Sequence, residues 1–157
     1  MRVMIFLLLL SSAPASAAWT QQQLAEFAQN STLQFTVQSN QLNTPSRFNA
    51  AITLQNNSAL ALPAGEAGWQ IYFHLIRRIE RTQQHGLQIE HVQGDLHRIS
   101  PVAGFAGLKP SQQLTLPFES GPWMVSYSDF MPRAFIAFAS LQAEVFSNTD
   151  TENFSQF

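Results

Sequence analysis

The stretch W-Q-I-Y-F-H-L-I-R-R-I-E-R-T-Q-Q-H-G-L-Q-I-E-H-V-Q-G-D-L-H-R-I-S-P, residues 69–101, decides the fold of this chain. Its first part places large apolar side chains at every second position: Trp69, Ile71, Phe73 and Leu75. A period of two predicts a strand with one face on a core. The runs Leu87 to Val92 and Leu96 to Ile99 flank Gly94 and Asp95, residue types that favour a turn. The stretch therefore predicts three strands.

The N-terminus has the layout of a secretory signal peptide. Arg2 precedes the apolar run Val3 to Leu10, and Ala15 to Ala17 form an A-x-A cleavage pattern. Because the apolar run is about half the roughly 20 residues that a membrane-spanning helix needs, a retained anchor is disfavoured. We predict cleavage after Ala17, a periplasmic or secreted protein, and no membrane association once the signal is removed.

Composition limits the classes of function for the rest of the chain. Over the full sequence charged residues make up 11% and the formal net charge is -2, and the basic cluster is confined to Arg77, Arg78 and Arg81, which argues against a nucleic-acid partner. The chain has no cysteine, so no disulfide holds the fold and the 45% apolar residues must supply a core. Residues 18–157 suffice for one domain.

Periodicity along the chain predicts the fold class. Thr20 and Gln23 have the spacing of a capping box, and Leu24 and Phe27 follow at helical spacing. Beyond this helix the period changes to two, and about eight or nine short strands are separated by turn residues. Pro117 has no backbone N–H to donate to a neighbouring strand, so its strand either lies at a sheet edge or ends at this residue. The prediction is an all-β, antiparallel β-sandwich with a short N-terminal helix.

Four segments in order carry a family resemblance: W-Q-I-Y-F-H (Trp69 to His74), H-V-Q-G-D-L-H-R-I-S-P (His91 to Pro101), S-D-F-M-P-R (Ser128 to Arg133) and N-T-D-T-E-N-F (Asn148 to Phe154). They resemble the N-terminal module of bacterial chitobiases and β-N-acetylhexosaminidases. The resemblance implies a sandwich similar to cellulose-binding modules that binds chitin or N-acetylglucosamine oligosaccharide. It also implies that residues 18–147 form the module and residues 148–157 begin a linker to a missing following domain.

Catalysis in that family belongs to a separate barrel domain that uses an adjacent Asp-Glu pair. This sequence holds no adjacent Asp-Glu pair, so the resemblance assigns no catalytic residue to it. We expect no activity from the chain on its own. Three interpretations stay open: a non-catalytic carbohydrate-binding module, a truncated fragment of a β-N-acetylhexosaminidase, and a structural domain that packs against a glycosidase barrel in cis or in trans.

The histidines are the obvious metal candidates, and the chain has four of them: His74, His85, His91 and His97. The predicted pairing of their strands lets His91 and His97 approach each other. The carboxylates that could support histidine ligands are those of Glu90 and Asp95, and Asp95 is already explained as a turn residue that bonds local backbone. We predict no metal site and no cofactor.

Aromatic residues are the better candidates for a sugar site, because a pyranose packs its C–H face on Trp or Tyr while its hydroxyls bond amides and carboxylates. Alternation assigns Trp69 and Phe73 to the core. Tyr72 lies on the polar face of the same strand. The predicted carbohydrate-binding residues are Tyr72, His74 and Trp123.

Overall fold

The computed structural model describes residues 18–41, 46–122, 129–130 and 133–149. The elements in chain order are α1 (Gln21–Asn30), β1 (Ser31–Gln41), β2 (Arg47–Asn56), β3 (Trp69–His74), β4 (Thr82–Gln84), β5 (Leu87–Gln93), β6 (Leu96–Pro101), β7 (Gln113–Ser120), β8 (Phe135–Phe138), β9 (Glu144–Val145) and β10 (Asn148–Thr149). The predicted all-β class with a short N-terminal helix is confirmed. The predicted signal peptide and Trp123 lie outside the described residues.

The strands form two sheets over one core. The smaller sheet has the order β10-β1-β2-β7, and the larger has the order β4-β5-β6-β3-β8-β9. Neighbouring strands are antiparallel except that β10 runs parallel to β1, with Thr32 opposite Asn148 and Leu33 opposite Thr149. The smaller sheet therefore includes Asn148 and Thr149, which the sequence-based division places at the start of the linker.

Alternating side chains build the core between the sheets. Trp69, Ile71 and Phe73 of β3 are fully buried, as predicted from their spacing. Phe130 connects the two sheets, because its ring centroid lies 4.4 Å from that of Phe35 on β1 and 6.1 Å from that of Phe73. Burying one such side chain stabilises the fold by about 1.5–3 kcal/mol. Apolar packing thus replaces the cross-links that a cysteine-free chain lacks.

Helix α1 begins at the predicted capping box. The backbone N–H of Gln23 donates to Thr20 Oγ1 over 3.2 Å, and the backbone N–H of Thr20 donates to Gln23 Oε1 over 2.9 Å. The buried face of the helix is Leu24, Phe27 and Ala28. No helix in the described ranges is long and apolar enough to span a membrane.

Pro117 lies in an edge strand. Among the named strands β7 pairs with β2, where Ala51 is the partner of Pro117, and on its other side an isolated bridge joins Ser120 at its end to Ile79. The missing N–H of proline removes no ladder bond at an edge, which is why the strand continues through it to Ser120. The structure therefore decides between the two predicted positions in favour of the edge.

The stretch 69–101 contains four strands rather than the predicted three. The additional strand is β4, which pairs antiparallel with β5. The two strands are joined by His85 and Gly86, whose φ angles of 51° and 74° suit a two-residue hairpin. The sequence of β4, T-Q-Q, has no apolar residue, so periodicity cannot detect it.

Candidate functional site

The outward face of the six-stranded sheet carries one line of side chains across five neighbouring strands. In register, Glu90 of β5 lies opposite Arg98 of β6, and Arg98 lies opposite Tyr72 of β3. Tyr72 lies opposite Phe135 of β8, and Phe135 lies opposite Val145 of β9. We name these five residues the cross-strand row. The row is charged at its β5 end and apolar at its β9 end.

Tyr72 occupies the centre of the cross-strand row. Its ring stacks on that of Phe135, with centroids 5.0 Å apart and an interplanar angle of 12°. Its hydroxyl donates to Gln70 Oε1 over 2.5 Å. The stack covers one face of the Tyr72 ring, so Tyr72 is not the free platform that the sequence suggested. Instead Tyr72, Phe135 and the 52% exposed Val145 form an apolar strip.

The charged half of the row is a hydrogen-bonded ion pair. Arg98 donates from Nε to Glu90 Oε1 over 2.9 Å and from a terminal nitrogen to the same oxygen. Glu90 Oε2 accepts from the side-chain amide of Gln88 over 3.1 Å, and Gln88 Oε1 accepts from Arg81 over 2.6 Å. The carboxylate of Glu90 raises the pKa of Arg98, and Tyr72 contributes to the same shift. These contacts link the side chains of the exposed Arg81, the buried Gln88 and the half-buried Glu90 and Arg98.

His74 lies on the same outward face as Tyr72, as the alternation predicted, and is half-buried. Its Nδ1 is 3.2 Å from Asp95 Oδ1. That hydrogen bond is the main cause of the lowered pKa of Asp95. The structure thus brings Tyr72 and His74 onto one face, but the cross-strand neighbour of His74 is Leu96 rather than a member of the row.

His97 and His91 approach each other, as the predicted strand pairing allowed. Their ring centroids lie 5.3 Å apart, and His97 is fully buried. His97 Nε2 accepts from the backbone N–H of Ile79 over 3.1 Å, while its Nδ1 lies 3.0 Å from the backbone oxygen of Asp95. With both ring nitrogens bonded to backbone, His97 holds the segment before β4 in place. Burial lowers the pKa of His97.

Among the described residues, no group of three or more His, Cys, Asp or Glu side chains is placed to hold a metal ion. The third predicted sugar contact, Trp123, stays a prediction because it lies outside those residues.

Four members of the row were missed by the sequence reasoning: Glu90, Arg98, Phe135 and Val145. The run from Ala134 to Ala139 is apolar at every position, so alternation cannot identify its outward face, on which Phe135 is half-buried. Alternation places a residue on a face but does not say which strands are neighbours. The row depends on the order and register of the strands, which the amino-acid sequence alone does not reveal.

The outward face of the four-stranded sheet has different chemistry. Thr53 of β2 lies opposite Gln34 of β1 and Thr115 of β7. The hydroxyl oxygens of Thr53 and Thr115 are 3.1 Å apart. The ion pair on that sheet is at its end, where Arg47 Nε lies 3.8 Å from Glu119 Oε1 and both side chains are exposed. This face is a surface of neutral hydroxyl and amide groups for most of its length.

Comparison with known proteins places the chain in a family. A family model described as "Putative carbohydrate binding domain" matches residues 22–157. The N,N'-diacetylchitobiase of Vibrio harveyi is 33% identical over 89 residues, which are 57% of this chain and 10% of that protein. The beta-hexosaminidase of Vibrio vulnificus is 31% identical over 102 residues, which are 65% of this chain and 12% of that protein. The chain thus spans about a tenth of the length of these relatives.

A solved structure shares the fold. The GH20 exo-β-N-acetylglucosaminidase from Vibrio harveyi, in complex with N-acetylglucosamine, superposes with a TM-score of 0.55 at 20% sequence identity. The superposition covers 74% of this chain and 17% of the enzyme chain. The matched family, the relatives and the shared fold agree with the resemblance seen in the sequence. The chain belongs to the family described as "Putative carbohydrate binding domain", and its relatives include a chitobiase and a β-hexosaminidase.

Proposed function

We propose that this chain binds chitin-type oligosaccharide, a chain of β-linked N-acetylglucosamine, on the cross-strand row. The observation that carries the proposal is the adjacency of the apolar strip to the fixed ion pair. Tyr72 belongs to both halves, because it stacks on Phe135 and lies opposite Arg98. A sugar residue has the same two-sided character, with C–H groups on its faces and hydroxyl and acetamido groups around its rim.

The proposed pose follows from the polarity of the row. Sugar C–H groups lie over the strip of Tyr72, Phe135 and Val145, and polar substituents reach Arg98 and the amide of Gln70. Neighbouring strands are about 4.7–4.9 Å apart, so the four strands from Phe135 to Glu90 cover roughly 14 Å. The row is therefore long enough for more than one sugar residue. Because the stack on Phe135 leaves one face of the Tyr72 ring for a sugar, we expect binding to be weak.

The direct test is titration of the purified chain with N-acetylglucosamine oligosaccharides, together with retention on chitin beads. The Tyr72→Ala variant should lose about tenfold in affinity, equal to about 1.4 kcal/mol. The matched control is Thr53→Ala, an outward residue of the other sheet, and it should bind like the unaltered chain. Retention no greater than that of an unrelated sandwich domain would overturn the proposal, and equal losses in the two variants would move the site away from the row.

We also propose that the chain functions beside a glycosidase domain, in cis or in trans, and contributes no hydrolysis itself. The small share of its relatives that the chain spans supports this partner. The expected result is no release of chromophore from a chromogenic N-acetylglucosaminide by the purified chain. Release at a rate proportional to the amount of chain would instead support the interpretation as an active hexosaminidase fragment.

The interpretation as a purely structural packing domain is less well supported. It requires a large apolar surface, whereas the exposed large apolar side chains of the described ranges are Ile76, Val92 and Val145, each on a different element or connection. Val145 alone belongs to the cross-strand row. Its neighbours in the row are better explained by a ligand with both polar and apolar parts.

Export is part of the proposal, since an oligosaccharide of this type is met outside the cytoplasm. The A-x-A pattern that ends at Ala17 supports cleavage at that position. N-terminal sequencing of the protein recovered from the periplasm or the medium should find Ala18 as the first residue. Recovery of the intact N-terminus, starting at Met1, would contradict it.

A further inference from the structure

We propose that His97 is a pH-sensitive latch: its neutral ring holds residues 76–81 against the six-stranded sheet, and a proton taken up by that ring in acid releases them from it. We name residues 76–81 the latch segment. The segment lies between β3 and β4 and carries Arg81, which donates into the hydrogen-bonded network beside the cross-strand row. The latch goes beyond the proposed function, whereas its effect on ligand binding rests on that function.

The hydrogen bonds of His97 fit one protonation state. Its Nε2 lies 3.1 Å from the backbone nitrogen of Ile79, which carries a hydrogen, so Nε2 is the acceptor. In a neutral imidazole the other nitrogen then carries the proton, and Nδ1 donates to the backbone oxygen of Asp95 over 3.0 Å. Protonation places an N–H on Nε2 that points at the N–H of Ile79. The hydrogen bond to the latch segment is therefore lost when the ring becomes a cation.

The surroundings of the ring disfavour the cation in the closed latch. His97 is fully buried, and its ring stacks on that of Phe73 with centroids 5.3 Å apart. The titratable groups that face it are His91 of β5, His74 of β3 and Asp95 of the turn before β6. Burial lowers the pKa of His97, and charge on the two histidines adds to that effect while Asp95 opposes it. The latch is thus closed above pH 6.5 and opens as the pH falls towards the pKa of the folded state.

Ile79 is the residue through which the latch segment contacts both sheets. Its side chain is buried between the exposed Arg78 and Glu80. Ile79 forms an isolated bridge with Ser120 at the end of β7, and Ser120 Oγ donates to the backbone oxygen of Arg78 over 2.5 Å. The bond to His97 joins the same residue to the six-stranded sheet. Loss of that bond leaves Ile79 attached to the four-stranded sheet through the bridge.

The latch segment leads directly to the row. Arg81 lies two residues after Ile79, a separation of at most about 7 Å along the chain, so movement of Ile79 shifts Arg81 with it. Arg81 donates to Gln88 Oε1 over 2.6 Å, and the amide of Gln88 donates to Glu90. Glu90 is the ion-pair partner of Arg98 in the row. Opening of the latch therefore loosens the charged half of the row.

The direct test follows the backbone amide of Ile79 by NMR in the full chain. The quantity measured is the protection factor, the ratio of the intrinsic to the observed hydrogen-exchange rate, which removes the effect of pH on the exchange chemistry. Between about pH 7 and about pH 5 it should fall about tenfold, as expected for the loss of one buried hydrogen bond. Amides of β2, a central strand of the four-stranded sheet, should keep their protection, which distinguishes local release from unfolding.

Two variants assign the response to His97. His97→Gln removes the titrating ring but keeps an oxygen that accepts from Ile79, so the protection of Ile79 should no longer depend on pH. The matched control is His91→Gln, which removes the neighbouring ring. There the response should persist and move to higher pH, because one repelling charge is gone. Circular dichroism confirms folding. If His97→Gln does not fold, the ring protons of His97 in the unaltered chain supply the assignment, since they should titrate with the same midpoint.

Ligand titration tests the link to the row. The affinity of the unaltered chain for an N-acetylglucosamine oligosaccharide should fall about fivefold over the same pH range, the lower end of usual couplings between sites. His97→Gln should show no such fall.

The outcomes separate the latch from the proposed function. Protection of Ile79 that stays constant with pH, or that falls equally in His97→Gln, overturns the latch. An affinity that is independent of pH while Ile79 responds overturns the link to the row. Lack of ligand binding at neutral pH overturns the proposed function, and the protection of Ile79 still decides the latch.

Discussion

The outward face of the six-stranded sheet carries an ion pair and an aromatic stack, whereas the outward face of the four-stranded sheet carries mostly hydroxyl and amide groups. The inward faces of both sheets meet the same requirement, a close-packed apolar core, and differ little in kind. The core therefore accounts for the fold, and the outward residues of the six-stranded sheet distinguish that sheet as the candidate binding surface. A substitution in the core can therefore lower stability without altering the binding surface, and an outward substitution can alter that surface without unfolding the protein.

The largest expected effect compares two adjacent residues of β3. Phe73→Ala removes a fully buried ring that packs against Phe130 and should lower the free energy of unfolding by about 3–5 kcal/mol. Tyr72→Ala removes an outward ring and its stack on Phe135, with an expected loss of about 1 kcal/mol. Urea unfolding followed by fluorescence measures both. Equal losses would mean that Tyr72 is a core residue rather than a surface residue.

The second expected effect is a loss of stability in acid that originates in the six-stranded sheet. Burial lowers the pKa of His97 below its ordinary value of 6.5, so the unfolded chain takes up a proton at a higher pH than the folded chain. The stability contributed by neutral His97 is complete above pH 6.5. It is lost as the pH falls below 6.5 towards the pKa of the folded state.

Unfolding measured across this pH range in His97→Gln should show a shallower loss, because the titrating ring is gone. The control is His85→Asn, in the exposed hairpin turn, where asparagine tolerates the positive φ. This control should keep the acid sensitivity of the unaltered chain. An unchanged slope in His97→Gln would assign the sensitivity to other groups.

The smallest expected effect compares one polar pair from each outward face. A double-mutant cycle on Glu90 and Arg98 should give a coupling of about 0.2–1 kcal/mol, because the pair is partly exposed. Screening should reduce that coupling at high salt. The matching cycle on Thr53 and Thr115, which are uncharged, should not respond to salt. A salt-dependent coupling in the threonine pair would remove the electrostatic distinction between the faces.

Much of the fold could be predicted from the sequence, because the decisive signals are local. Alternation identified the buried face of β3, Thr20 and Gln23 marked the start of α1, and the absent N–H of Pro117 indicated either a sheet edge or a strand end, of which the edge is found. Strand β4 was not predicted, because its residues are all polar and give no alternating pattern. Strand β10 was not predicted either. Its two residues are polar, and its pairing with β1 joins distant parts of the chain.

The site was predicted only in part. Tyr72 and His74 were placed on the correct face, since a face requires only the period of one strand. Glu90, Arg98 and Phe135 come from three other strands, and only the sheet order brings them beside Tyr72. The stacking of Phe135 on Tyr72 also changes what Tyr72 offers to a ligand. Register across strands is a tertiary property, and a single sequence shows it only indirectly.

Pro117 has a consequence for the behaviour of the protein in a crowded solution. An exposed sheet edge can recruit a strand from another molecule, which leads to aggregation. At Pro117 the edge of β7 has no N–H to donate, and its carbonyl oxygen accepts from the side chain of Gln84 over 2.5 Å. The edge is thus blocked at one residue by a missing donor and an occupied acceptor. A cysteine-free chain, which has no disulfide to limit partial opening, gains protection against self-association from this one residue.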